Sequence, residues 1–169
     1  MDFKTSQISC GQMETDHFCE TMLSYAKLVS ELEQKVNRMV FESYGVEKNY
    51  ESHVGSTTYL LRVMKYRAPQ MDESEVGSQT HTDKSFITIL HQNQVNALEV
   101  QARNGQWIAV DFPLASFVVM AGDAYMAWSN DRIHAPRHQV NMSGNKSRYA
   151  NGTIFIPQRD STDTRRASG

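Results

Sequence analysis

The sequence lacks long hydrophobic runs and an excess of charge of either sign. Its 169 residues include 17 Lys and Arg against 19 Asp and Glu, a formal net charge of −2. Without a basic excess, binding to nucleic acid is not indicated. The longest apolar runs are about five residues, such as 117–121, far short of the roughly 20 that span a bilayer. The N-terminus also lacks the apolar core of a signal peptide, so we expect a soluble, cytoplasmic protein without nucleic-acid or membrane partners.

Cysteine, glycine and proline are also scarce. The chain has 2 Cys, 9 Gly and 4 Pro, with 40% hydrophobic residues. This composition excludes a collagen-like or wholly disordered protein, and Cys10 and Cys19 do not indicate a disulfide framework or a zinc site. The length predicts one domain. We expect a flexible N-terminal arm over 1–14, a folded core over 15–157 and a polar tail over 158–169.

The order of hydrophobic patterns predicts one long helix followed by short strands. From Asp16 the apolar residues recur every three or four positions until Gly45, as in an amphipathic helix. After Tyr50 the apolar runs are short, separated by turn signals such as Asn104-Gly105. The predicted strands cover 57–66, 85–92, 98–102, 107–110, 117–120, 124–128 and 148–156. The fold class is therefore mainly β, an antiparallel barrel or jelly roll preceded by the helix.

Chemistry-bearing motifs are few, and His81-Thr82-Asp83 is the first candidate. The sequence contains no Gly-x-Ser-x-Gly, Gly-x-x-x-x-Gly-Lys or Cys-x-x-Cys motif. On an extended segment, residues two apart project to the same face, so His81 and Asp83 can converge on one metal ion. The triplet alone is weak evidence, and a capped turn with a solvated histidine is the favoured interpretation of it by itself.

His138 is the candidate third ligand. A hairpin centred near residue 143 would place His138 opposite Arg148, with Cβ atoms within about 5.5 Å. Two His and one carboxylate form the facial triad of non-haem Fe(II) oxygenases, and Arg148 is a natural bidentate partner for a carboxylate-bearing co-substrate. His134 competes for the third position, but it lies two residues before Pro136, where regular strand pairing is disfavoured.

These residues stand in a longer pattern that resembles the plant 2-oxoglutarate- and Fe(II)-dependent dioxygenases. Within this family, the sequence pattern is most similar to the branch that modifies glucosinolate side chains. The resemblance covers about residues 16–157 and is carried by 61–69, 81–92, 98–100, 104–108, 122–123, 128–130, 138–140 and 148–150.

The resemblance implies a fold, cofactors and roles. The fold would be the double-stranded β-helix, with the long helix packed on its outside. His81, Asp83 and His138 match the family's iron ligands, while Tyr66 and Arg148 match residues that hold 2-oxoglutarate. Such an enzyme uses Fe(II), 2-oxoglutarate and O₂ to oxidise a C–H bond of a small plant metabolite, by hydroxylation, desaturation or a related step, and releases succinate.

Several departures from the family keep alternatives open. Ala150 stands where the family has serine, which removes a charge-assisted hydrogen bond of about 1.5–3 kcal/mol. Met64 and Gln139 replace the usual Asn and Arg. The family's N-terminal half is also missing. The alternatives are a truncated, catalytically impaired family member and a non-catalytic jelly-roll module that binds a metal or ligand.

Overall fold

The computed structural model describes residues 16–70, 75–113 and 115–157. The predicted arm (1–14) and tail (158–169) therefore lie outside the described residues. Within the described part, no helix is both long enough and apolar enough to cross a membrane.

The predicted long helix is present as α1, Asp16–Ser43. It contains no glycine or proline, and it ends just before Gly45, whose φ of 67° lies in the left-handed region that glycine adopts readily. The backbone N–H of Val46 then donates to Phe41 O at 3.0 Å and closes the last turn.

The buried face of α1 includes the middle of the predicted apolar series and extends beyond it. The apolar residues Tyr25, Val29, Leu32 and Val36, which recur every three or four positions, belong to or pack against the core cluster of sheet A. The last member, Met39, is 61% exposed. Glu33 and Asn37 are also buried, and a hydrophobic pattern cannot detect them because they are polar.

The rest of the described chain is built mainly of strands. A 3₁₀ turn (Glu47–Asn49) and α2 (Tyr50–Gly55) lead into β1, and α3 (Asp123–Trp128) lies between β6 and β7. The strands are β1 (Thr57–Tyr66), β2 (Glu75–His81), β3 (Ile87–Gln92), β4 (Leu98–Gln101), β5 (Trp107–Ala109), β6 (Val118–Ala121), β7 (His138–Met142) and β8 (Arg148–Pro157).

These strands form two antiparallel four-stranded sheets, which confirms the jelly-roll fold class. Sheet A has the order β1-β8-β3-β6 and sheet B the order β2-β7-β4-β5. One apolar cluster joins α1 to the outer face of sheet A, where Val29 packs with Ile87, Ile89 and Phe155. A second cluster, which includes Leu90, alternates to the other face of β3. Sheet A is thus covered on one face by the helix and contributes to the interior with the other.

Two local expectations are wrong or incomplete. The run 124–128 forms α3 rather than a strand, because the backbone at Gly122 docks on residues 85–86 and turns the chain. Strand β2 carries little apolar alternation and is absent from the predicted strands.

Candidate metal centre

Two of the predicted ligands face each other across paired strands of sheet B. His81 ends β2 and His138 begins β7, and their Cα atoms are direct partners in the antiparallel register. Their ring centroids lie 4.3 Å apart. Strand pairing therefore sets the spacing of the two imidazoles.

Asp83 completes the group from the segment just beyond β2. Its Oδ1 lies 3.7 Å from His81 Nε2 and 3.9 Å from His138 Nε2. One ligand atom from each of the three residues lies within 4.8 Å of the others. The buried Oδ2 of Asp83 has no hydrogen-bond partner among the described residues. We call His81, Asp83 and His138 the metal group.

The two imidazoles are oriented by their other ring nitrogens. His81 Nδ1 lies 2.8 Å from Gln79 O, and His138 Nδ1 lies 3.3 Å from Pro136 O. A carbonyl can only accept, so Nδ1 carries the proton and the Nε2 lone pair points toward Asp83. Burial lowers the pKa of His138, which favours the neutral form that binds metals.

The metal group fits a divalent iron ion by its chemistry. Two imidazole nitrogens and one carboxylate oxygen on one side leave the remaining positions for other ligands, which is the donor set of non-haem Fe(II) oxygenases. The side chain of His81 is 47% exposed, whereas that of His138 is 8% exposed. One side of the group is therefore accessible.

His134, the competing third ligand, does not join this group. It lies in the segment before β7, among residues without strand pairing. Within the described chain, the grouped ligand atoms come from His81, Asp83 and His138.

Tyr66 and Arg148 are brought together in sheet A. They are Cα partners across β1 and β8, and the Arg148 guanidinium carbon lies 5.0 Å from the Tyr66 ring centroid. Arg148 is 1% exposed, and its Nε donates to Gln92 Oε1 at 2.7 Å. The guanidinium is thus a buried cation with a fixed orientation.

The predicted hairpin between His138 and Arg148 is wrong. Strand β7 lies in sheet B between β2 and β4, whereas β8 lies in sheet A between β1 and β3. Both edges of each strand are already paired, so the 143–147 connection crosses from one sheet to the other.

The metal group and the pair formed by Tyr66 and Arg148 nevertheless share the space between the sheets. Tyr66 packs against Val140 and Met142 of β7, and His138 lies on the same face of β7 as Val140 because it is two residues away. Leu60 and Ile156, on the Tyr66 and Arg148 face of sheet A, are 39% and 42% exposed. The interior thus combines the metal group, a buried guanidinium and an accessible apolar wall.

Sequence reasoning missed the residues that support these side chains. In the sequence, Gln92 does not differ from the other polar residues of its strand, and Asp123 reads only as part of a turn. A polar residue on the inward face of an otherwise buried strand is the one signal that could have drawn attention to Gln92. A cavity of about 440 Å³ borders Gln92, but none of the five predicted site residues lines it.

The fold and this donor set define the class of protein. The 2OG-Fe(II) oxygenase superfamily profile matches residues 57–157, and the chain belongs to that superfamily.

Among curated proteins, the chain is 43% identical over 155 residues to the probable 2-oxoglutarate-dependent dioxygenase AOP1 of Arabidopsis thaliana, covering 87% of this chain and 52% of AOP1. The chain thus spans about half the length of the curated relatives it matches.

The chain is also similar in structure to solved proteins that bind 2-oxoglutarate. A full-length Neurospora crassa protein, in complex with alpha-KG, superposes with a TM-score of 0.79 at 26% identity, covering 92% of this chain and 53% of that protein. The dioxygenase for auxin oxidation 1 of Arabidopsis thaliana, in its 2-oxoglutarate complex, gives a TM-score of 0.78 at 27% identity, covering 84% and 53%. The described jelly roll thus corresponds to about half of each of these proteins.

Proposed function

We propose that this chain is the iron- and 2-oxoglutarate-binding part of a dioxygenase that oxidises a C–H bond of a small plant metabolite. The convergence of His81, Asp83 and His138 within 4.8 Å of one another carries this proposal. Two imidazoles and one carboxylate that leave coordination positions open are the donor set of non-haem Fe(II) oxygenases.

The ligands have distinct roles in this proposal. His81 and His138 supply neutral nitrogen donors, held in one tautomer by their bonds to backbone carbonyls. Asp83 supplies one negative charge that helps retain the cation. When bound, Fe(II) supplies the activation of O₂ for C–H oxidation, coupled to conversion of 2-oxoglutarate to succinate.

The co-substrate would be oriented by sheet A. Arg148 offers a buried guanidinium to the distal carboxylate of 2-oxoglutarate, and the Gln92 amide fixes its plane. Tyr66 lies beside the guanidinium and offers its hydroxyl. Leu60 and Ile156 would then contact the apolar part of the substrate.

An impaired family member is the second candidate. Ala150 supports it, because its side chain offers no hydroxyl two residues beyond Arg148, on the same face of β8. A module that binds the metal and 2-oxoglutarate without turnover is the remaining alternative.

An anaerobic titration separates these candidates. Purified protein receives Fe(II) and then 2-oxoglutarate, and the visible charge-transfer band of the chelate is recorded beside far-UV circular dichroism. We expect a band that is lost in His138→Ala and Arg148→Ala and retained in His134→Ala, the matched histidine control. A folded wild-type protein without a band contradicts the proposal, and a band without succinate formation favours the impaired member.

The cellular setting is part of the same proposal. We expect a cytoplasmic protein whose partners are small molecules rather than nucleic acid or a membrane. Cell fractionation of the tagged protein tests this location: recovery with cytosolic marker enzymes supports the expectation, and recovery with an organelle or membrane fraction contradicts it.

A further inference from the structure

The segment that carries Asp83 has no strand partner of its own. Residues 82–86 lie between the end of β2 and the start of β3, outside both sheets. The Asp83 carboxylate is also not anchored through Oδ2, which is buried without a hydrogen-bond partner among the described residues. Some other part of the molecule must therefore hold Asp83 opposite the two histidines.

Asp123 contacts three consecutive residues of this segment. Its carboxylate Oδ2 accepts hydrogen bonds from Thr82 Oγ1 at 3.1 Å and from Lys84 Nζ at 2.5 Å. Its backbone N–H donates to Asp83 O at 2.7 Å. One residue thus binds Asp83 itself and the residue on either side of it.

The backbone around Asp123 is docked equally closely. Gly122 N–H donates to Phe86 O at 2.9 Å, and Ala124 N–H donates to Ser85 O at 3.2 Å. A Cβ at Gly122 would lie 2.3 Å from Ser85 O and 2.8 Å from Asp83 O. Glycine is therefore required by space, and this close approach brings the Asp123 carboxylate to Thr82 and Lys84.

We propose that Asp123 is a positioning residue that presents Asp83 to the metal ion. The inference rests on the proposed function, since it concerns the same metal group. Asp123 is not itself a metal ligand: its Oδ2 is occupied by Thr82 and Lys84, and it is not part of the metal group. Removing its side chain loses the bonds to Thr82 and Lys84 on either side of Asp83, while the backbone bond to Asp83 O remains and both histidines stay on their paired strands.

Cobalt(II) affinity measures this role without relying on turnover. Co(II) is titrated into wild type, Asp123→Ala, Asp123→Asn and the control Asp131→Asn. Asp131 is an exposed aspartate in the turn after α3, so its substitution removes the same charge. Substitution of supporting residues around metal ligands costs about 10- to 100-fold in affinity, and we expect that rise in Kd for Asp123→Ala. The rise should be smaller for Asp123→Asn, whose amide oxygen still accepts from Thr82, and absent for Asp131→Asn.

Stability of the metal-free protein separates positioning from a general structural role. We expect Asp123→Asn to keep the far-UV spectrum of wild type and most of its metal-free Tm, yet to gain less Tm when Co(II) is added. An unchanged Kd in a folded Asp123 variant overturns the inference, even where the metal-free Tm falls.

Failure of a variant to fold and failure of wild type to bind Co(II) are interpreted separately. If Asp123→Ala does not fold, Asp123→Asn and Thr82→Val decide the question, because the first removes the negative charge that binds Lys84 and the second removes the Thr82 hydrogen bond. Wild-type protein that is folded but does not bind Co(II) contradicts the proposed function and this inference together. Wild-type binding with unaffected Asp123 variants contradicts this inference alone.

Discussion

Two side-chain groups in this protein combine a carboxyl group with imidazole, and they have opposite surroundings. The metal group lies at the ends of strands of sheet B. The other, which we call the helix group, consists of Glu33 and Asn37 of α1 and His53 of α2. Glu33 and Asn37 are 1% and 0% exposed, whereas the metal group is open on the His81 side.

The difference between the groups lies in which atoms are already hydrogen-bonded. In the helix group, Asn37 Nδ2 donates to Glu33 Oε1 and lies 3.2 Å from His53 Nε2. The carboxyl and imidazole therefore share one amide between them. In the metal group, backbone carbonyls bind Nδ1 of both histidines, and the Nε2 atoms and the carboxylate face one another. Residue types alone do not make a metal site, because the free direction of each donor atom decides it.

Substituting the carboxyl residue of each group in turn tests this comparison most directly. Asp83→Ala should abolish detectable Fe(II) binding, since it removes a ligand and its charge, whereas Glu33→Gln should leave the affinity unchanged. Anaerobic Fe(II) titration of both variants, with circular dichroism as the folding control, measures the difference. Loss of Fe(II) binding in a folded Glu33→Gln protein would contradict the separation of the two groups.

The helix group should affect the pH dependence of stability rather than metal binding. Burial raises the pKa of Glu33 from 4.5 to about 7, so the folded state holds the proton more tightly than the unfolded state. The free energy of unfolding should therefore fall as pH rises from about 4.5 to about 7, by about 3 kcal/mol. Glu33→Gln has no such titration, so the stability of the variant relative to wild type should increase as pH rises over that range. Urea denaturation at pH 4 and pH 8 compares the two proteins, and parallel pH profiles contradict the assignment.

Asn37 is the shared partner of the helix group, so its removal should destabilise the fold without affecting metal. We expect Asn37→Ala to lower the free energy of unfolding by about 1–3 kcal/mol, because Glu33 and His53 lose a buried hydrogen-bond partner. Chemical denaturation and Fe(II) titration are measured on the same preparation. A tenfold loss of Fe(II) affinity would show that the two groups are coupled.

The smallest expected effect concerns the inward face of β8 next to Arg148. Ala150 is buried and pairs with Met64 across β1 and β8, two residues beyond Arg148. Ala150→Ser should tighten 2-oxoglutarate binding by about tenfold through one added hydrogen bond to a charged group. Ala150→Cys is the matched control, since it fills similar volume with a weak donor. Equal affinities for the two variants would contradict a role for the hydroxyl.

Several features were predictable because their signals are local. The 3.6-residue periodicity predicted α1, and the short runs bounded by turn residues predicted the jelly roll. His81 and Asp83 were predictable as a pair because they are two positions apart. The prediction that Arg148 lies near His138 rested on a hairpin that does not form. Strand β7 pairs with β2 and β4, and β8 pairs with β1 and β3, which are all far from the 143–147 connection in sequence.

Other features depend on contacts between distant segments. Strand β2 has little apolar alternation, and it forms because β7 pairs with it. The helix α3 replaces a predicted strand because Gly122 docks on residues 83–86. Glu33 and Asn37 have ordinary polar character in the sequence, and burial beside His53 of α2 gives them their role.

The sequence by itself determined the class of fold and the kinds of donor atoms available, since periodicity and residue type are properties of short segments. Only the tertiary structure decided that His81 lies opposite His138, that Gln92 holds Arg148 and that Glu33 is closed off while Asp83 is not. The physical reason is that a side chain's charge, orientation and free lone pairs are set by neighbours tens of residues away, and folding alone brings them into contact.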